Sequence, residues 1–322
     1  MIRTASATKT VRHKSRLSRF LLQSRKTWQL YLFFLIPFVY LCIFAYYPMF
    51  GVQIAFKNYS AAKGIWGSDW VGLFHFKTFL TSYQFGRVII NTLRISIYSL
   101  VTSFPLAILF ALFLNIIRNN RIKKLIQTIS YIPHFISVIV IVGILFQLFN
   151  PVTGVYGNLY RLFGGQGNPP DIFTKANSFI HLYVWSGIWQ QLGWNSIIYI
   201  AALTSVDPEL HEAAEIDGAL RIQRIWYIDL PAILPTAAIM LILRFGSVMS
   251  VGYEKVYLMQ NNINLVQSEV ISTYIYKVGL KSADSFSYGT AIGLFNSVIN
   301  CTLLVIVNKL AKQIGEGGYS LW

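Results

Sequence analysis

Residues 207–231 read DPELHEAAEIDGALRIQRIWYIDLP, and this stretch decides the fold. It is a long polar break in an apolar half of the chain, and it holds six of the twelve acidic residues. Asp207 is suited to cap a helix whose first residue is Pro208, since that position needs no backbone N–H. Gly218 is suited to the left-handed conformation that ends such a helix. We therefore predict a helix that stops at Gly218 and a second short helix over about 219–226.

The composition indicates the class of protein. The chain has 322 residues, of which 55% are hydrophobic and only 12% are charged, and its mean hydropathy is +0.52. Ordinary soluble domains carry about 25% charged residues. Cys42 and Cys301 both lie in apolar runs, so they indicate small core side chains rather than a disulfide framework. These features predict an all-α integral membrane protein.

Apolar runs long enough to cross a bilayer, about 20 residues as helix, recur along the chain. Proline residues within several of them are expected to bend the helices. The six predicted spans are 28–50, 88–117, 128–149, 179–203, 231–251 and 288–308. The predicted organisation is a basic N-terminal segment, a six-helix transmembrane domain with a polar loop, and a short tail, at 1–27, 28–310 (loop 205–231) and 311–322.

The basic residues predict the orientation of these spans. The net charge is +15, and sixteen Lys and Arg fall in segments placed inside, against nine in segments placed outside. Inner loops of membrane proteins carry such an excess. We therefore expect both termini and the 205–231 loop in the cytoplasm. Because the basic residues flank spans rather than cover the face of a soluble domain, they do not indicate nucleic-acid binding.

The polar loop carries seven residues at the spacing of a family signature, Glu-Ala-Ala, three residues, Gly, nine residues, Ile, one residue, Leu-Pro. It resembles the loop of ABC-importer permease subunits, which docks into a cytoplasmic ATPase. The resemblance implies the type I importer permease fold in the bacterial inner membrane. It implies that the signature residues and one neighbouring acid couple the permease with the ATPase. These residues are Glu212, Ala213, Ala214, Asp217, Gly218, Ile228, Leu230 and Pro231.

Further motifs are similar to the complex-polysaccharide branch of carbohydrate importer permeases, which is itself similar to the larger maltose-importer subunit. They are Tyr131–Phe135, Tyr253–Leu258, Tyr274–Tyr276 and the final Tyr319–Trp322. Within that branch the chain most resembles permeases of alginate importers. The resemblance implies a second homologous permease, two ATPase subunits that bind ATP and Mg, a periplasmic solute-binding protein, and an oligosaccharide solute. No cofactor is expected in this chain, and its other contact is membrane lipid.

Two arginines fall inside predicted spans and are candidates for the solute path. Arg244 is expected near the middle of the fifth span, where a charge is costly unless it meets a wet cavity or a partner. It either lines a path for an anionic or hydroxylated solute, or is satisfied by helix carbonyls and side-chain amides. Arg94 lies near an end of the second span, from which its side chain is able to snorkel outward.

Aromatic and amide side chains provide a second set of candidates. Trp185 and Trp189 share a helix face and precede Gln190, a combination suited to sugar rings. The same residues are also typical of an interfacial aromatic belt. Tyr253 and Glu254, after the fifth span, form a similar candidate pair.

The sequence also argues against other classes of function. It contains no G-x-x-x-x-G-K-[ST] phosphate loop, so this chain is not expected to hydrolyse ATP. No acid falls in the middle of a predicted span, which counts against the main alternative, an ion-coupled sugar symporter. No catalytic cluster indicates an enzyme, and His134, His181 and His211 are interpreted as isolated structural residues. The prediction is a permease subunit that couples ATPase motion to passage of an oligosaccharide, preferably an acidic one.

Overall fold

The computed structural model describes residues 27–281, 286–314 and 321 of the chain. It divides into two compact units, Met1–Gln53 and Ile54–Trp322. The predicted N-terminal segment lies outside the described residues except for Thr27, as does most of the predicted tail 311–322. Most of the described residues are helical and the strands among them are two residues long, so the predicted all-α class is confirmed.

The first unit contains one described helix. Helix α1 spans Trp28–Leu41 and continues as a π-helical turn, Cys42–Tyr46, and a 3-10 segment, Tyr47–Phe56. The whole run has 29 residues and is apolar enough to cross a membrane. Its large apolar side chains are exposed, which suits contact with lipid.

The second unit begins with a short hairpin and small helices. Strands β1 (Lys57–Asn58) and β2 (Asp69–Trp70) pair antiparallel, with Lys57 opposite Trp70. The remaining helices follow in chain order. They are α2 (Gly64–Gly67), α3 (Phe74–Thr81), α4 (Tyr83–Ile116), α5 (Asn120–Tyr131), α6 (Val138–Leu148), α7 (Val155–Leu162), α8 (Ala176–Thr204), α9 (Pro208–Ile216), α10 (Arg221–Arg224), α11 (Leu230–Phe245), α12 (Tyr253–Met259), α13 (Leu265–Ser268), α14 (Ile271–Ile275) and α15 (Phe286–Ile314).

Four of the six predicted spans have a helix that meets the length and composition of a membrane crossing, in α1, α4, the run Arg221–Phe245 and α15. The pair α5 and α6 makes a fifth if it counts as one bent span. Helix α8 is long enough, at 29 residues, but the amides of Gln190, Gln191 and Asn195 lower its hydropathy. The described helices thus follow the predicted order, while composition supports four or five crossings rather than all six.

The third predicted span, 128–149, is not one continuous helix but a bent pair of helices. Helix α5 ends at Tyr131, a 3-10 turn covers Ile132–Phe135, and α6 begins after Ser137 at an angle of 100°. Pro133 lacks the N–H that a continuing helix needs. The Ser137 hydroxyl accepts from the Val140 amide at 3.3 Å, which starts α6 afresh.

The fifth span is also shorter than expected, because α11 ends at Phe245 instead of continuing to residue 251. The next residues leave the helix and bond to α15: Asn300 Oδ1 accepts from Met249 N at 3.0 Å, and Asn300 Nδ2 donates to Ser250 Oγ at 2.9 Å. Arg244 therefore lies in the last turn of its helix, not near the middle as the sequence suggested.

Helix α8 is the centre of packing in the second unit. It lies along α4 and also contacts α5 and α11. At Gly193 the backbone of α8 meets that of α5: a Cβ on this glycine would lie 2.3 Å from the Ser130 carbonyl oxygen. Buried side chains of α4, α8 and α11 form a common cluster, including Ala111, Tyr199 and Ile233. This arrangement holds the loop 205–231 between the ends of α8 and α11.

Candidate functional site

The loop 205–231 contains the turn that the sequence predicts. Asp207 Oδ1 accepts a hydrogen bond from the amide two residues on, at 3.0 Å, and so caps α9. Gly218 has a φ of +78°, which confirms the predicted left-handed glycine. A backbone hydrogen bond from Ala219 N to Ala214 O, 2.9 Å long, closes the turn.

The second helix of the loop differs in extent from the predicted 219–226. Helix α10 has four residues, with the Leu220 amide donating to Gln223 Oε1 at 2.7 Å at its start. A π-helical turn, Ile225–Asp229, then leads into α11 without a break. The loop is thus continuous with the fifth span.

One side of the loop is an exposed surface, here called the coupling surface. Glu212 and Ala213 are exposed on it, Ala214 is partly exposed, and no ion pair of Glu212 occurs within the described part of the chain. More than half of each neighbouring large apolar side chain is exposed: Leu210, Ile216, Leu220, Ile222, Trp226 and Tyr227. A cluster of this kind is typical of a surface that docks another protein.

The remaining signature residues divide between this surface and the helix entry. Asp217 and Gly218 are exposed at the turn. Ile228 and Leu230 are half-buried, and Pro231 is exposed as an early residue of α11, where its missing N–H costs nothing.

The opposite side of the loop is tied to the membrane helices by polar contacts. Asp229 is 4% exposed, and its Oδ1 accepts from Asn115 Nδ2 at 3.1 Å and lies 3.3 Å from His211 Nε2. Glu215 pairs with Arg118 at 3.2 Å and with Arg224 at 3.1 Å. The sequence reasoning missed these contacts.

The three histidines make polar contacts that agree with their interpretation as structural residues. His211 pairs with Asp229, His134 Nδ1 lies 2.9 Å from Gln191 Oε1, and His181 Nδ1 lies 3.0 Å from the Tyr98 hydroxyl. Each has a polar partner on another segment, which sequence spacing does not reveal.

Arg244 lines a polar cavity of about 210 Å³ between α4 and the turn that follows α11. Its guanidinium donates to Asn195 Oδ1 at 3.1 Å, so a side-chain amide satisfies part of it while the side chain stays exposed. Hydroxyl groups line the same cavity, from Ser96, Ser99, Ser103, Ser247 and Ser250. The arrangement offers one cation and several hydroxyls to a ligand.

Part of the lining of this cavity has a recognisable pattern in the sequence. Ser96, Ser99 and Ser103 recur at the spacing of one helix face on α4. Ser247 and Ser250 come from the turn after α11, and only the fold brings them to that face.

The other path candidates lie elsewhere. Arg94 is exposed and does not line the Arg244 cavity. Trp185 and Trp189 line a separate, largely apolar cavity of about 540 Å³ with residues of α6. The Trp185 indole donates to the Tyr98 hydroxyl at 3.0 Å, which fixes its ring.

Gln190 is buried and has a role in the bent third segment. Its Nε2 donates to the Ile136 carbonyl at 3.1 Å, which satisfies a backbone group at the break between α5 and α6. Tyr253 packs against Tyr257 and Tyr276, with ring centroids 5.3 and 4.8 Å away, while Glu254 is exposed.

Lys255 lies behind the wall of the Arg244 cavity. Its Nζ donates to the Tyr183 carbonyl at 3.0 Å and lies 4.9 Å from the centroid of the Tyr183 ring. Burial lowers the pKa of Lys255 to about 8. Tyr183 itself lines the cavity, so Lys255 anchors α12 to that wall.

Comparison with known proteins shows the family to which the chain belongs. Residues 103–315 match the model of the family described as binding-protein-dependent transport system inner membrane components. The chain is 40% identical to the polygalacturonan/rhamnogalacturonan transport system permease protein YteP of Bacillus subtilis, over 95% of this chain and 94% of that protein.

Solved structures extend the likeness to the fold. One is described as a bacterial ABC transporter involved in the import of the acidic polysaccharide alginate, with 37% identity, a TM-score of 0.83, and coverage of 92% of this chain and 99% of the other. A second is the bacterial alginate ABC transporter in complex with alginate pentasaccharide-bound periplasmic protein, with the same identity and TM-score, and coverage of 92% and 98%. The chain belongs to the family of binding-protein-dependent transport system inner membrane components, as a sugar ABC transporter permease.

Proposed function

We propose that this chain is the permease subunit of an ATP-driven importer for acidic oligosaccharides such as alginate fragments. The choice of an acidic oligosaccharide as the solute rests on one observation, which is that Arg244 lies in a cavity lined by serine hydroxyls. A guanidinium pairs with a carboxylate through two parallel hydrogen bonds. Hydroxyls donate to and accept from the hydroxyls of a sugar. A uronate, which carries both groups on one ring, is complementary to the cavity.

The relatives support an acidic solute. The alginate importer's cargo is described as an acidic polysaccharide. The name of the Bacillus relative refers to polygalacturonan and rhamnogalacturonan, polymers whose galacturonate rings also carry carboxylates. A neutral sugar would gain hydrogen bonds in the cavity but no charge pairing with Arg244.

The coupling surface supports the role of ATP. A permease component is not itself an enzyme, and we assign ATP and Mg to two cytoplasmic ATPase subunits that dock at Glu212, Ala213 and Ala214. Closure of the ATPases would displace α9 and α10. Because α11 continues from them, the displacement reaches Arg244, about 21 Å along the helix from Leu230.

The other proposed partners are a second homologous permease, a periplasmic solute-binding protein and membrane lipid. A binding protein is part of the solved alginate transporter complex. We place both termini in the cytoplasm on the distribution of basic residues.

The competing proposal is an ion-coupled sugar symporter. Such a transporter holds its coupling ion or proton on a carboxylate near the middle of the membrane. No acid is among the residues that line the Arg244 cavity. A symporter would also have no use for the exposed coupling surface.

The test is uptake of labelled uronate oligomers by the assembled transporter in proteoliposomes, with Arg244→Ala and Arg244→Lys. Loss of a charge-assisted contact of about 1.5–3 kcal/mol predicts that Arg244→Ala raises the KM for uptake roughly tenfold or more. Arg244→Lys keeps the charge but loses the planar pair of donors, so we expect an intermediate value.

The matched control is Arg94→Ala, which removes an arginine outside the cavity. We expect uptake close to that of the parent. Equal KM values for the parent and Arg244→Ala, or equal losses in Arg244→Ala and Arg94→Ala, would contradict the proposed solute site.

A further inference from the structure

The inner side of the loop is organised around one buried carboxylate. Asp229 ends the π-helical turn that leads into α11, and only 4% of the residue is exposed. Its Oδ1 accepts from Asn115 Nδ2 at 3.1 Å and lies 3.3 Å from His211 Nε2. Asn115 lies in the last turn of α4, and His211 lies on α9. A single oxygen atom therefore joins three segments.

Two ion pairs that share Glu215 lie beside this junction. Glu215 on α9 lies 3.2 Å from Arg118, just after α4, and 3.1 Å from Arg224 on α10. The Glu215 and Arg118 side chains are exposed and the Arg224 side chain is 14% exposed. Ion pairs with an exposed partner contribute little each. Together with Asp229, His211 and Asn115 they line one cavity of about 200 Å³. The Glu215 pairs thus add a second connection from α9 to the end of α4, and one to α10, beside the connection that the buried carboxylate makes.

Because Asp229 is buried, breaking its polar contacts is expected to cost free energy. A carboxylate removed from water is costly to leave unpaired, so the segments that satisfy it are held together. None of Asn115, His211 and Asp229 occupies a fixed position of the Glu-Ala-Ala signature, and none belongs to the exposed coupling surface. Their position suits transmission of a movement rather than docking of the ATPase.

We propose that Asn115, His211 and Asp229 are positioning residues that clamp α9 to the ends of both α4 and α11. A displacement of α9 then moves the two helices that meet the Arg244 cavity, instead of deforming the loop. This clamp rests on the ATP-driven import proposed above. It predicts that weakening the clamp separates ATP hydrolysis from transport.

The experiment uses the complete transporter in proteoliposomes and measures solute imported per ATP hydrolysed. His211 is the preferred site because its side chain is 29% exposed, so His211→Ala leaves the fold largely undisturbed. We expect the ratio to fall about fivefold or more, with ATP hydrolysis retained. His211→Gln keeps a hydrogen-bond donor and should restore most of the ratio.

Two further variants test the clamp as a unit. Asn115→Ala should lower the ratio in the same way, and the double variant with His211→Ala should lose less than the product of the two single losses, since both act on one oxygen. Asp69→Asn, which removes an exposed acid paired with Lys63 far from the loop in sequence, is the control and should keep the parent ratio.

The outcomes are distinct. An unchanged ratio in His211→Ala, or a parallel loss of hydrolysis and uptake that His211→Gln does not restore, would overturn the clamp. A parent complex with no ATP-dependent uptake of any oligosaccharide would overturn the proposed function, and the clamp with it. That result is visible in the parent alone, before any variant is compared.

Discussion

The close approach of α8 and α5 gives a prediction that depends on geometry alone. A Cβ on Gly193 would lie 2.3 Å from the Ser130 carbonyl oxygen and 2.9 Å from its Oγ. The nearer atom belongs to the backbone and cannot rotate away. Gly193→Ala must therefore push α5 and α8 apart by about 1 Å to reach an ordinary contact.

The cost is that of overpacking a fitted contact, about 1–3 kcal/mol. Ala is the better helix former by about 1 kcal/mol, which offsets part of it. We expect a net loss of stability, measured as a lower midpoint of thermal unfolding for the purified transporter in detergent.

Gly143→Ala is the matched control. Gly143 lies within α6, and a Cβ there would meet nothing within 4 Å. Only the gain in helix propensity applies, so we expect a midpoint equal to or slightly above that of the parent. If Gly193→Ala is as stable as Gly143→Ala, the close packing of α5 on α8 is refuted.

Two further predictions concern the coupling surface and the cavity wall. Glu212→Lys should reach the membrane and assemble, yet uncouple ATP hydrolysis from uptake, because it reverses the charge on the surface where we propose that the ATPase docks; normal uptake would contradict the assignment. Burial lowers the pKa of Lys255 to about 8 in the folded protein, whereas the pKa of an unfolded lysine is about 10.4. Between pH 8 and pH 10.4, roughly, the unfolded state therefore binds more protons than the folded state, and the free energy of unfolding should rise with pH. Lys255→Met should lose that rise in thermal unfolding measured from about pH 8 to about pH 10, and a pH profile equal to the parent's would contradict the burial of an amine at this site.

Local signals were sufficient to predict the first helix of the loop and the turn that ends it. A capping carboxylate, a proline at the first helical position and a glycine at the turn act within a few residues, and Asp207, Pro208 and Gly218 all occupy the expected places. The long helices α4, α8 and α15 were likewise predicted, because their apolar runs are continuous. Most of their observed ends lie within a few residues of the predicted ends.

Long-range contacts explain what the sequence did not predict. Pro133 predicts a bend in the third segment, but the 100° break also depends on Gln190, which bonds the freed carbonyl of Ile136. The early end of α11 depends on Asn300, more than fifty residues away, which bonds the turn after Phe245. No local pattern reveals either partner.

The same limit applies to the candidate site. The sequence singled out Arg244 as an arginine inside a span, but its position along the helix was misjudged because the helix ends sooner than predicted. The serines opposite it come from two segments that only the fold brings together. Asp229 was counted as one more loop acid, because its burial between Asn115 and His211 is a property of packing.

The central claim is tested most directly by uptake of labelled uronate oligomers into proteoliposomes that contain the complete parent transporter with its binding protein. The account predicts uptake that requires hydrolysable ATP, persists without any ion gradient, and is inhibited by unlabelled uronate oligomers but not by neutral maltodextrins. Uptake driven by a proton or sodium gradient without ATP, or a preference for the neutral oligomer, would contradict it.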